Sequence, residues 1–189
     1  MRVMQIRLHA IRRAQTEKGR WSKMVRKFVP QKDNTRDFRD ALGCFATGVT
    51  VITAASDQGG IGMTANSFSS ISLDPPLVLW SPAKTSQRYA WFRKAPHFAI
   101  HVMRSDQKHV ALEFARHGDA FNLFPMTLNT HGVPLLDDCL ARFECTTSAM
   151  HDGGDHAIMV GHVRNVLLNE GTPLVFAQSG YGGFAAETE

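Results

Sequence analysis

The chain has 189 residues, 43% of them hydrophobic and 20% charged, with 15 Gly and 8 Pro. That is room for one ordinary domain with its own core, and it excludes a disulfide-stapled miniprotein, a collagen-like or coiled-coil chain and a disordered one. The formal charge of +4 is unevenly spread: residues 1–36 hold 11 Lys and Arg against Glu17 and Asp33, and the remainder holds 10 against 15 Asp and Glu.

The body is therefore mildly acidic, and the basicity sits in an N-terminal arm. Residues 1–33 read as a basic extension. Val3, Ile6, Ala10 and Ala14 recur at helical spacing among the arginines. The arm fits a transit-like helix, a nucleic-acid or membrane arm, or a disordered stretch upstream of a natural start at Met24. It lacks the apolar core of a secretory signal. No apolar run approaches the ~20 residues of a spanning helix, so no membrane partner is expected. Cys44, Cys139 and Cys145 are odd in number and lack CxxC spacing. They read as buried thiols in a reducing cytoplasm.

From residue 34 the chain reads as one domain ending near 186. Asn34–Asp37 resembles a helix start, followed by Phe38, Leu42 and Phe45 on one face. Val49–Ala55 is a strand of β-formers, and Ser56–Gly60 a turn cluster. Ile61–Leu73 is one long extended segment, broken by Asp74-Pro75-Pro76, with a short strand over Leu77–Ser81. The pattern predicts a helix over Thr85–Lys94, a strand over His97–Met103 and an amphipathic helix over Ser105–Arg116. His117–Asp138 reads as irregular. Cys139–Met150 and His156–Leu168 form two strands around a turn at residues 151–155. Pro173–Ala177 is a last strand, and Gly180–Gly183 is loop-like. Strands dominate without β-α-β-α alternation, which predicts a mainly β fold: an antiparallel barrel with a few peripheral helices.

No dinucleotide-type glycine fingerprint, Walker A sequence or GxSxG elbow is present. His97 and His101 form HxxxH, but on a strand the two are about 13 Å apart, too far for one ion. No zinc-like ligand set accompanies them, so no metal is expected. His109, His117, His131 and His162 are scattered and expected to be exposed. Gly62–Pro76 packs hydroxyls, an amide and small residues into a strand-like stretch. It suits either a flat ligand with a polar edge, such as a flavin pyrimidine edge, or a plain polar edge strand. Lys84-Thr85-Ser86 at an expected helix start suits either a phosphate or a simple cap beside a solvated lysine.

Taken in order, these pieces resemble the flavin reductase family with the FMN-binding split-barrel fold, the reductase components of two-component flavin monooxygenases. The resemblance rests on residues 45–53 (FATGVTVIT), 62–79 (GMTANSFSSISLDPPLVL), 84–86 (KTS), 98–100 (FAI), 154–156 (GDH), 173–176 (PLVF) and 180–182 (GYG). It runs from about Phe38 to Phe184. It implies an antiparallel, Greek-key-like split barrel, usually a homodimer. It implies FMN or FAD held by Thr47, Gly48 and Thr50, by Thr64, Ala65, Asn66 and Ser67, by Ser70 and Ser72, and by Lys84, Thr85 and Ser86 at the phosphate. It places NADH or NADPH at Gly154, Asp155 and His156, with His156 positioning the nicotinamide, and a hydride passing from its C4 to flavin N5. A separate oxygenase would receive the reduced flavin. His101 departs from the family, which often has Asn there, and this departure touches the polar contacts expected near the flavin. A pyridoxamine-phosphate-oxidase-type amine oxidase and a non-catalytic flavin-binding module are the competing readings. A nucleic-acid role for the arm is disfavoured by the acidic body.

Overall fold

The structure is a computed structural model and describes residues 25–57 and 59–186. Residues 1–23, with their candidate amphipathic helix, lie outside it. Two compact units are distinguished, residues 1–39 and 40–189. In the first, Lys32–Asn34 makes a 3-10 turn in which Asn34 Oδ1 accepts the Gln31 N–H at 2.8 Å, and Arg26 pairs with Asp37 at 2.5 Å. Helix α1 (Thr35–Leu42) follows. None of its residues is buried, and Phe38, Leu42 and Phe45 remain exposed.

Among the described residues, the second unit is built on twelve strands: β1 (Thr47–Gly48), β2 (Thr50–Ser56), β3 (Gly59–Ala65), β4 (Ser69–Leu73), β5 (Pro76–Trp80), β6 (His97–Val102), β7 (Met126–Leu128), β8 (Pro134–Leu136), β9 (Ala141–Gly153), β10 (His156–Leu168), β11 (Leu174–Ala177) and β12 (Gly180–Gly183). Helices α2 (Tyr89–Lys94) and α3 (Lys108–Arg116) lie between them. Seven strands form one sheet in the order β3-β2-β6-β9-β10-β5-β4, and every pairing is antiparallel. Laid flat, strands at ~4.8 Å spacing would put β3 and β4 about 29 Å apart. Yet only Asn66-Ser67-Phe68 joins them, and that link reaches at most about 14 Å. The sheet must therefore curl until its edges meet, which makes the barrel. Phe68 in the link turns inward and stacks on Phe143 at 5.6 Å.

The interior is filled by Ile52, Ala54, Val78, Trp80, Phe92, Phe98, Ile100 and Met159, with Trp80 edge-on to Phe92 at 5.0 Å. Val51 of β2 faces the other way, onto a second cluster with Val110, Ala111 and Phe114 of α3. Both faces of β2 are covered, so Thr50–Ala54 is buried without alternation. The long β9–β10 hairpin bulges at Val160/Gly161, where a Cβ on Gly161 would come within 2.6 Å of Phe98 Cζ.

Several expectations need correction. The extended segment 61–73 is two strands, separated by the bend at 66–68. The helix expected over Thr85–Lys94 begins only at Tyr89, and residues 84–88 are turns. The irregular stretch 117–138 contains the β7–β8 hairpin. Gly180–Gly183 is strand β12, paired with β11 through a two-residue turn whose Gln178 (φ 49°) and Ser179 (φ 63°) both take left-handed backbone. Of the cysteines, Cys139 and Cys145 are buried, with burial pushing their thiols up to about 11 and about 12, but Cys44 is exposed. His162 is half-buried, while His109, His117 and His131 are exposed as expected, His131 stacking on His97 at 3.7 Å.

Candidate active site

Edge strand β3 uses one side of its backbone for β2; on the other side Gly62 bonds Gly118 and Arg88, and the groups at Thr64 beyond it face the space for a ligand. Next to it lies an open cavity of about 230 Å³ lined by Val49, Thr64, Ala65, Asn66, Ala115, Phe176 and Tyr181. Its walls are largely apolar. Phe176 and Tyr181, 5.0 Å apart and edge-on, come from the β11–β12 hairpin. Thr47 pairs with Phe176, and Gly48 with Val175, so β1 lies beside the strand that carries Phe176 into the cavity wall.

The expected ligand hydroxyls divide into two sets. Thr50 Oγ1 donates to Ala65 O at 2.7 Å, and Thr64 Oγ1 to Ala111 O at 2.5 Å, tying β3 to β2 and α3. These hydroxyls shape the cavity from behind. The Asn66 side chain makes no hydrogen bond among the described residues, and it stands exposed at the cavity rim. Ser70 and Ser72 sit on β4, on either side of a register shift, and do not line this cavity.

From the cavity an arc of contacts leads to the other predicted segments. Ser67 Oγ accepts the Ser81 N–H at 2.9 Å. Ala83 pairs with His156, Lys84 N–H donates to Asp155 O at 2.9 Å, and Ala157 N–H donates to Pro82 O at 3.1 Å. Residues 81–84 thus join the bend at 66–68 to the tip of the β9–β10 hairpin. That tip turns through Gly154, whose φ of +78° favours glycine. Lys84 Nζ binds the Asp152 carboxylate and donates to Gly154 O at 2.6 Å. The Lys84 hydrogen bond, then the Gly154 N–H, hold the Asp152 carboxyl below its ordinary range. His156 Nδ1–H donates to Asp155 at 2.8 Å, which likewise lowers Asp155. A second cavity of about 250 Å³ lies here, lined by Lys84, Tyr89, Arg93, Met150, His151, Asp152 and Ala157. Thr85 is exposed, and Ser86 Oγ accepts the Arg88 N–H at 3.2 Å.

The Flavin reductase like domain family matches residues 42–185. The chain belongs to this family. It is 52% identical over 160 residues to FMN reductase (NADH) SmoA of Agrobacterium fabrum, covering 85% of this chain and 92% of that one. It is 47% identical over 148 residues to the reductase component of the flavin-dependent trigonelline monooxygenase of Acinetobacter baylyi, covering 77% of this chain but 46% of the relative. Among solved structures, the NADH:FAD oxidoreductase SgcE6 of Streptomyces globisporus, in complex with NAD and FAD fragments, superposes with a TM-score of 0.78. The two are 34% identical, covering 87% of this chain and 100% of that one. As in that flavin reductase architecture, the barrel here is split and antiparallel.

Sequence reasoning left Ala115, Phe176 and Tyr181 out of the site. Phe176 and Tyr181 lie in matched stretches, but only the unforeseen β11–β12 pairing turns them toward β3. Nothing in the local sequence marks Ala115.

Proposed function

We propose that this protein is an NAD(P)H-dependent flavin reductase whose active site is the arc from Thr64–Ser67 through Ser81–Ser86 to Gly154–His156. The observation that carries this is the continuous hydrogen-bonded path joining three segments that are far apart in sequence. The residues fit a flavin: the cavity offers an apolar slot for a flat ring, with the polar rim of Asn66 and the outer edge of β3 at Thr64.

A bound flavin supplies an acceptor for the hydride of the reduced nicotinamide, and the reaction needs no protein nucleophile. The backbone donors of Thr64–Ser67 oppose negative charge as it develops at the ring edge. Phe176 and Tyr181 exclude water from the slot. Lys84, now bonded to Asp152, would hold the flavin phosphate, with Thr85 and Ser86 adding hydroxyls beside it. Asp155 fixes the His156 tautomer with the proton on Nδ1, leaving Nε2 as an acceptor for the nicotinamide carboxamide. Thr47, Gly48 and Thr50 would support the slot from the neighbouring strands, and Ser70 and Ser72, outside the ring cavity on β4, would hold a part of the flavin that extends beyond it.

Residues 34–186 form the catalytic body, and 1–33 an extension outside the chemistry. The protein works as a homodimer in the cytoplasm and hands reduced flavin to a separate oxygenase. The oxygenase is supported by relatives named as monooxygenase reductase components, and the cytoplasm by buried free thiols. No helix among the described residues is long and apolar enough to cross a membrane.

Anaerobic mixing with NADH tests the reading. It predicts stoichiometric bleaching of added FMN or FAD, slowed when C4 of the nicotinamide carries deuterium. Bleaching with no isotope effect on the fast phase, or none at all, contradicts it.

A further inference from the structure

Arg88 performs an unusual amount of bonding for a residue between a turn and a short helix. Its Nη1 donates to Phe114 O at 2.6 Å and to Gly62 O at 3.3 Å. Its Nη2 donates to Arg116 O at 2.7 Å and to Ala115 O at 3.2 Å. Three of these carbonyls are at the C-terminal end of α3, which lacks intrahelical partners and carries the negative end of the helix dipole. The fourth belongs to β3, two residues before Thr64. Gly118 passes against the same side chain: a Cβ there would sit 3.1 Å from Arg88 Nε, and Gly118 O accepts the Gly62 N–H at 2.7 Å. The guanidinium is partly desolvated, which lowers its pKa, but an arginine stays charged.

At its other end, Arg88 is bonded into the turn that carries Lys84, Thr85 and Ser86, because its own N–H donates to Ser86 Oγ. One residue thus holds the turn by its backbone and the ring cavity by its side chain, since Ala115 and Thr64 both line that cavity.

We propose that Arg88 is a positioning residue that fixes the spacing between the two ends of the flavin site, so that ring and phosphate are bound at the same time. This rests on the reading of Lys84–Ser86 as the phosphate end. Without Arg88 the ring slot keeps other supports, the Thr64–Ala111 bond and the β2–β3 pairing. The phosphate end then loses its register to the ring, and with it the advantage of a second linked contact.

The test compares equilibrium binding of FMN and of riboflavin, which lacks the phosphate, by flavin fluorescence. The proteins are wild type, Arg88→Met, Arg88→Lys and Lys84→Met, with thermal unfolding of each as a control for folding. In Arg88→Met the preference for FMN over riboflavin should fall about tenfold, the scale of one charged contact, about 1.4 kcal/mol. Riboflavin affinity should stay within about twofold of wild type. KM for FMN should rise while kcat at saturation holds. Arg88→Lys keeps the charge but not the planar fork, so it should recover only part of the preference. An equal loss for both flavins in Arg88→Met, or no change in either, overturns the proposal. If Lys84→Met keeps the full FMN preference, the phosphate assignment itself fails and the proposal falls with it. Loss of the preference in Lys84→Met but not in Arg88→Met overturns the Arg88 role alone.

Discussion

His101 is fully enclosed, with Nδ1 3.0 Å from Val51 O and Nε2 accepting the Leu136 N–H at 3.1 Å. Both ring nitrogens are committed, Nδ1 as donor and Nε2 as acceptor, which only the neutral ring allows. Burial pushes its pKa down to about 4, against the bond to Val51, and Arg142 adds to the fall. Arg142 itself is paired with Glu144 at 3.8 Å. A depressed folded-state value means the stabilisation is complete above the ordinary imidazole pKa of 6.5 and lost as pH falls from there through about 4. His97, on the same face of β6, is also lowered by burial, by His131 and by Arg164, and it acts in the same direction. Thermal unfolding should therefore drop steeply across that window. His101→Gln should lower Tm at neutral pH yet flatten the decline, and parallel curves for the two proteins would contradict this. The sequence showed HxxxH and rightly spread it along a strand. What His101 does, clasping β8 onto β2 and β6, depends on partners 35 and 50 residues away. The departure from Asn at His101 accordingly bears on the core, since its side chain does not line the ring cavity. Small hydroxyl residues in an ordered motif were legible. Arg88 was not, because an arginine after a turn looks like any solvated cation.

Among the elements, the β11–β12 hairpin turns through two non-glycine residues with positive φ, each carrying a steric cost of about 1 kcal/mol. The sequence Gln178-Ser179 lacks the Asn-Gly signature of such turns, so β12 read as a loop. Replacing the pair by Asn-Gly should stabilise the protein by about 1 kcal/mol, read as a raised Tm, because glycine and asparagine take this backbone more cheaply. No gain would mean that the turn is not held in this form. In β10, Gly161 admits the Phe98 ring, and a Cβ would also lie 2.9 Å from Cys145 Cβ. Gly161→Ala should cost about 1–3 kcal/mol by overpacking, measured by chemical denaturation. An unchanged midpoint would refute the packing at this bulge. Most strands were readable from β-branched runs, and α3 from its period. The break at Asn66–Phe68 was not, because the same small polar residues suit a strand or a bend.

For the whole molecule, the three-residue link between the two edge strands dictates a closed curve, and that closure brings residues 64–67, 81–86 and 154–156 together. The run of strand-like segments without β-α-β-α alternation gave the mainly β class. The barrel's strand order was beyond it, since β6 pairs with β2 and β9 across long separations. The family match begins at residue 42. Removing residues 1–23 should therefore leave the flavin reduction rate within about twofold, below the scale of one lost interaction. A larger loss would assign the basic arm a part in the reaction. The most direct measurement of the central claim is aerobic oxidation of NADH and of NADPH by the full chain, with FMN, with FAD and with no flavin added. The account predicts saturable oxidation that depends on flavin, with KM for the nicotinamide nucleotide raised in His156→Ala and flavin affinity unchanged. Folded protein that binds flavin yet oxidises neither nucleotide under any of these conditions would contradict it.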